Sequence, residues 1–290
     1  MLVPMAMDLV DQNGQWWVFA LSAILTTLGG GSIALACANS SQKGLNIQQT
    51  FLLTTGVWVV LPIFAALPFV FGATRADVVD GVFEAMSGLT TTGSTVFDGL
   101  QELPRGLLLW RGMMQWFGGI GIIVVAMAFL PVLRVGGMQL FRSEGFDTFG
   151  KILPQAATIA KSVSSVYLGL TLACLVGYAM SGLNLFDATV HAMTTIATGG
   201  FANYDASFAA LPAAAEYVAV VFMLAAALPF VRYVQLLNGS WIALLQDTQI
   251  RTFFGAVVVV IVLLFFWQLA YVTNDSENAV RKAAFNGVSK

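Results

Sequence analysis

Apolar runs alternate along this chain with short polar breaks, and each run has the roughly 20 residues a helix needs to cross a bilayer. The full runs fall at residues 16–38, 46–72, 107–133, 162–185, 211–237 and 252–272. Residues 1–10 are apolar but too short to span, and read as the tail of a helix. Pro62 and Pro68 predict a kink in the outer half of the second run. Glycines at 29–31 and at 118, 119 and 121 let another helix approach closely. The longest polar stretch, 134–161, carries Arg134, Arg142, Lys151 and Lys161 and lies outside the membrane. The fold class is therefore an all-α integral membrane protein.

Two of the breaks carry a pattern of their own. Residues 80–95, DGVFEAMSGLTTTGST, begin as a short amphipathic helix and run into Thr90, Thr91, Thr92 and Gly93, poor helix formers at which the helix is expected to fray. Backbone that leaves a helix at membrane depth is tolerated only where protein buries it or where it lines a watery cavity. Carbonyls facing such a cavity suit a dehydrated alkali cation, and a glycine is needed where φ turns positive. The design recurs 107 positions later in residues 187–201, DATVHAMTTIATGGF: Asp80 aligns with Asp187, Ala85 and Met86 with Ala192 and Met193, Thr91 with Thr198, and Gly93 with Gly200. The pattern predicts repeated units of span, re-entrant pore half-helix, filter loop and span. The plainer reading is two helix-breaking loops at the membrane interface.

Composition narrows the picture. The chain is 58% hydrophobic and only 10% charged, against about 25% in soluble proteins. A net charge of −2 without a basic run excludes nucleic acid as a partner. If both threonine-glycine stretches face outward, seven of thirteen basic residues fall on the opposite side, which the positive-inside rule makes cytoplasmic, and twelve of fifteen acids fall outside. A mouth rich in carboxylates favours a positive transported species. Cys37 and Cys174 lack metal-ligand spacing and read as buried apolar residues. Arg111 is expected to snorkel or to pair with an acid such as Glu102. Glu84 and His191 occupy matching places on the two half-helices and read as packing or field-shaping residues. With one histidine and no clustered catalytic set, an enzyme is not expected.

The segments TTTGST after FEAMSGL, LLLWRGMMQWFGGIGIIV with VLRVGGMQLFRSE, and HAMTTIATGGFANYDAS closely resemble the TrkH-type subunit of bacterial potassium uptake systems, in the Trk/Ktr/HKT superfamily. That resemblance implies a gated pore in the bacterial inner (plasma) membrane, with four such repeats arranged around it and K+ as the transported ion. It implies no cofactor. Carried over position by position, Gly93 and Gly200 are the potassium-associated glycines, and Thr91, Thr92, Thr198 and Gly199 supply neighbouring coordinating carbonyls. It also implies a peripheral cytoplasmic nucleotide-binding regulatory subunit, contact with membrane lipid, and a homodimer in the full-length form. On this basis the chain divides into leading helices at 1–45, a first pore repeat at 46–140, a cytoplasmic loop at 141–161, a second pore repeat at 162–240, and the start of a third at 241–290. Residues 284–289 resemble the opening of a third pore helix. The chain is accordingly expected to be a fragment truncated at both ends, with two of four filter loops. The alternatives are a secondary transporter of another class and a non-conducting remnant.

Overall fold

The computed structural model describes residues 1–38, 47–129, 156–237, 239–240, 246–271 and 275–289. Among these, the regular structure is entirely helical. Most of the polar stretch at 134–161 lies outside the described residues; from Ala156 onward it is already helix.

The helices are α1 (Leu2–Val10), α2 (Trp16–Cys37), α3 (Ile47–Ala65), α4 (Leu67–Phe71), α5 (Val78–Leu89), α6 (Arg105–Phe129), α7 (Ala156–Met180), α8 (Leu185–Ile196), α9 (Ala213–Ala227), α10 (Phe230–Leu237), α11 (Thr248–Tyr271) and α12 (Ser276–Ser289). Four stretches among the described residues are long and apolar enough to cross a membrane: Trp16–Cys37, Phe51–Phe71, Lys161–Met180 and Thr248–Tyr271. The protein is a multi-pass membrane protein. Two proline breaks shape the spans. α3 gives way to α4 at Ala66, with Pro62 inside the first helix and Pro68 at the start of the second. The run at 211–237, expected as one span, is two helices. Leu228 is extended, at φ −76° and ψ 147°, because the ring of Pro229 disfavours helical geometry in the residue before it.

The chain forms two compact units, Met1–Gly118 with Phe201–Asp205, and Gly119–Gly200 with Ala206–Lys290. In the first, α1 packs on α2, and α5 packs on α3 and α4. Val18, Phe19, Phe69, Ala85, Leu107 and Met114 are buried there, and the indole N–H of Trp110 donates to the Ala65 carbonyl at 2.9 Å. In the second, α8 packs on α7 and α9, and α12 packs on α9 and α11.

Lipid tails are as apolar as leucine, so helices in a bilayer associate through close van der Waals packing, which small residues permit. The buried faces follow that rule. Ala188 and Ala192 on α8, Ala215 and Ala219 on α9, and Ala279 and Ala283 on α12 are fully buried pairs four residues apart, on one helix face each. Cys174 is buried in α7, as expected; Cys37, at the end of α2, is exposed, contrary to expectation, with no other element among the described residues covering that last turn.

Candidate functional site

Each threonine-glycine stretch begins where a twelve-residue helix ends, and the two ends are capped in the same way. At the first, the Thr90 N–H donates to the Met86 carbonyl at 2.8 Å, Thr91 N–H to Gly88 at 3.0 Å and Thr92 N–H to Ser87 at 2.9 Å. At the second, Ala197 N–H donates to Met193 at 3.1 Å, Thr198 N–H to Thr195 at 3.0 Å and Gly199 N–H to Thr194 at 2.9 Å. Every bond maps onto its counterpart by the offset of 107. Together they form a Schellman cap, which needs a left-handed residue just past the helix. That residue is a threonine both times: Thr91 at φ +54° and Thr198 at φ +51°.

The left-handed threonines are a feature sequence reasoning missed. Glycine is the usual occupant of this cap position, and a branched Cβ there is a true backbone outlier. Two residues on, Gly93 has φ +81° and Gly200 φ +82°, the positive values expected of them. A Cβ added at Gly200 meets nothing within 4 Å, so its requirement for glycine is set by the backbone angle rather than by crowding. Of the six expected ion-site residues, Thr92, Thr198 and Gly200 are exposed, Thr91 and Gly93 half-buried and Gly199 buried. Thr91, Thr92 and Gly93 lie in one compact unit and Thr198, Gly199 and Gly200 in the other.

Side chains brace the first loop from behind. The Ser87 hydroxyl donates to the Ser94 carbonyl at 2.6 Å, and Thr90 Oγ1 lies 2.8 Å from Thr92 Oγ1. Glu84, one turn earlier on α5 and fully buried, accepts from Thr95 Oγ1 at 3.0 Å and from the Val96 N–H at 3.1 Å. Its remaining partner is Arg111 of α6, at 2.7 Å. Arg111 is therefore paired with an acid, as expected, but with Glu84 rather than Glu102, because Glu84 projects from α5 into the same buried layer that Arg111 occupies.

In the second repeat, the Asn184 side chain caps α8 by accepting from the Asp187 N–H at 2.9 Å. His191, at the place of Glu84, is fully buried, with Nδ1 2.8 Å from the Asp187 carbonyl oxygen and its ring edge-on to Tyr178 and Phe208. The Tyr178 hydroxyl lies 2.7 Å from Thr195 Oγ1.

Past Gly200 the chain continues into the first unit. The Phe201 N–H donates to Gln115 Oε1 at 3.1 Å, and Ala202 accepts from Arg111 Nη1 at 2.9 Å. Asp205 then accepts from the Gly99 N–H at 2.8 Å and the Leu100 N–H at 3.0 Å. These bonds, chiefly the one from Leu100, hold the Asp205 carboxyl below its ordinary pKa.

Close backbone approach fixes the cap positions further. A Cβ on Gly118 of α6 would collide with the backbone of Leu89, the last residue of α5. Within the other unit, a Cβ on Gly119 would lie 2.7 Å from the Tyr167 hydroxyl oxygen and 3.2 Å from Cα of Ala197, the cap of α8. Residues 284–289, expected to open a third pore helix, lie on α12, which packs on the span before it as α8 packs on α7.

A family model described as TrkH, cation transport protein, matches residues 17–283. The chain is 41% identical to the Trk system potassium uptake protein TrkI of Halomonas elongata, over 100% of this chain and 59% of that protein. It is 37% identical to the Trk system potassium uptake protein TrkH of Escherichia coli K12, over 92% and 56%. The crystal structure of the potassium transporter TrkH from Vibrio parahaemolyticus matches with a TM-score of 0.88 at 32% identity, over 99% of this chain and 60% of that one. The chain thus spans about 60% of the length of these relatives.

Proposed function

The chain belongs to the TrkH family of cation transport proteins, and from that premise we propose that it takes part in potassium uptake across the bacterial inner membrane. Backbone oxygens of residues 91–93 and 198–200 replace the hydration shell of K+, as carbonyl filters do. The observation that carries this reading is the pair of identical caps, with matched left-handed threonines and glycines 107 residues apart. The caps draw on carbonyls at the ends of α5 and α8, which leaves the ion to the oxygens of the loops that follow. Each helix also ends with roughly half an elementary negative charge at its C-terminus, which favours a cation nearby. Gating completes the function, in a multi-component system with a peripheral cytoplasmic nucleotide-binding subunit and a homodimeric full-length protein. The relatives are named as potassium uptake proteins, and the substrate assignment follows their names.

The test is complementation of a potassium-uptake-deficient bacterium by the full-length gene, with Gly93→Ser and Gly200→Ser beside it. Growth at low K+ with the native sequence, and a reduced preference for K+ over Na+ in both variants, supports the reading. Unchanged uptake ratios in both variants refute it.

A further inference from the structure

Resting on the ion-filter reading above, we propose that Arg111 and Glu84 are positioning residues that hold the outer arms of both threonine-glycine loops, and that this one pair sets how strictly K+ is preferred over Na+. Both side chains are almost wholly buried, and they meet at 2.7 Å. Glu84 holds the arm that leaves the first loop through the Thr95 hydroxyl and the Val96 N–H. Arg111 holds the arm that leaves the second. Its Nη1 donates to the Ala202 carbonyl at 2.9 Å, and its guanidinium carbon sits 4.1 Å from the centroid of the Phe201 ring. Ala202 is the counterpart of Thr95 at the offset of 107. At the place of Glu84 the second repeat has His191 instead of a carboxylate, with Nδ1 engaged by the Asp187 carbonyl. The second arm is therefore held by the first repeat's arginine.

Stability alone is a poor account of such a pair. Two charges removed from water recover little over an apolar pair of the same volume. What a guanidinium supplies instead is a rigid fork that fixes several partners in direction at once. Here the fork fixes Glu84, which in turn holds Thr95, two residues past Gly93, and it meets Phe201 and Ala202 directly, starting one residue past Gly200.

The experiment uses the full-length protein and reads two quantities, abundance in the membrane and inhibition of rubidium uptake by Na+. Glu84→Gln and Arg111→Gln alone each leave a buried charge unpaired, and are expected to lower abundance. The double variant removes both charges and is expected to restore abundance while Na+ competes about tenfold better than in the native protein, a change of about 1.4 kcal/mol. Arg111→Lys keeps the charge but loses the planar fork, and is expected to accumulate with the same loosened preference; it carries the test should the double variant fail to fold. Native ion preference in Arg111→Lys, or in a well-expressed double variant, overturns the proposal. If Gly93→Ser has loosened the preference in the same assay, the filter reading stands without it. A native protein that shows no preference for K+ over Na+ removes both.

Discussion

Replacing Gly118 with alanine should destabilise the first loop, while the same replacement at Gly121, three residues further along the same helix, should not. At Gly118 a Cβ would lie 2.7 Å from the carbonyl carbon of Leu89 and 3.1 Å from its Cα, with the carbonyl oxygen closer still. Carbon atoms rest about 3.5–4.0 Å apart, so either α6 or the end of α5 must retreat by about 1 Å. The obstacle is backbone and has no rotamer to escape into. Overpacking of this kind costs about 1–3 kcal/mol. A Cβ at Gly121 meets nothing within 4 Å. Both changes gain the same helix propensity, about 1 kcal/mol for glycine to alanine, so that gain cancels in the comparison. Thermal unfolding of the purified variants in detergent should place Gly118→Ala about 1–3 kcal/mol below Gly121→Ala, and uptake assays should show altered ion preference in Gly118→Ala alone. Equal stability and equal preference in the two variants would refute the reasoning.

Thr91 and Thr198 hold left-handed angles that cost a residue with a Cβ about 1–2 kcal/mol, so Thr91→Gly and Thr198→Gly should each raise thermal stability by up to about 1 kcal/mol once the greater chain entropy of glycine is subtracted. A fall in stability would contradict that. Asp205 has a depressed carboxyl pKa, so its contribution should be fully present above the ordinary carboxylate value of about 3.9 and lost as the pH falls below that through the depressed value. Melting temperature measured from pH 7 down to pH 3 should show this loss, and Asp205→Asn should flatten the profile at its acid end. An unchanged acid profile in the variant would count against the Asp205 tether.

Four of the six spans, the short helices and the two loop glycines were legible because each rests on local chemistry: apolar runs of membrane length, threonine and glycine where a helix must stop, and a repeat that places them twice. The fraying point read at Thr90 is the observed cap of α5. The break at Leu228 had its signal in Pro229, masked by the continuous apolar run around it. The left-handed threonines carried no signal beyond the repeat itself, since the usual rule assigns such angles to glycine. The Arg111 partner was misread because Glu102 is nine residues away in sequence whereas Glu84 is twenty-seven. Only the packing of α5 beside α6 decides between them. The tether from Asp205 to Gly99 and Leu100 spans more than a hundred residues, a distance over which hydrophobic periodicity carries no information.

Anomalous diffraction from crystals of the full-length protein grown in rubidium or thallium salts tests the central claim most directly. The account predicts ion density in contact with backbone oxygens of residues 91–93 and 198–200. Density confined to carboxylate side chains such as Asp98 or Asp205, with none at these loops, would contradict it.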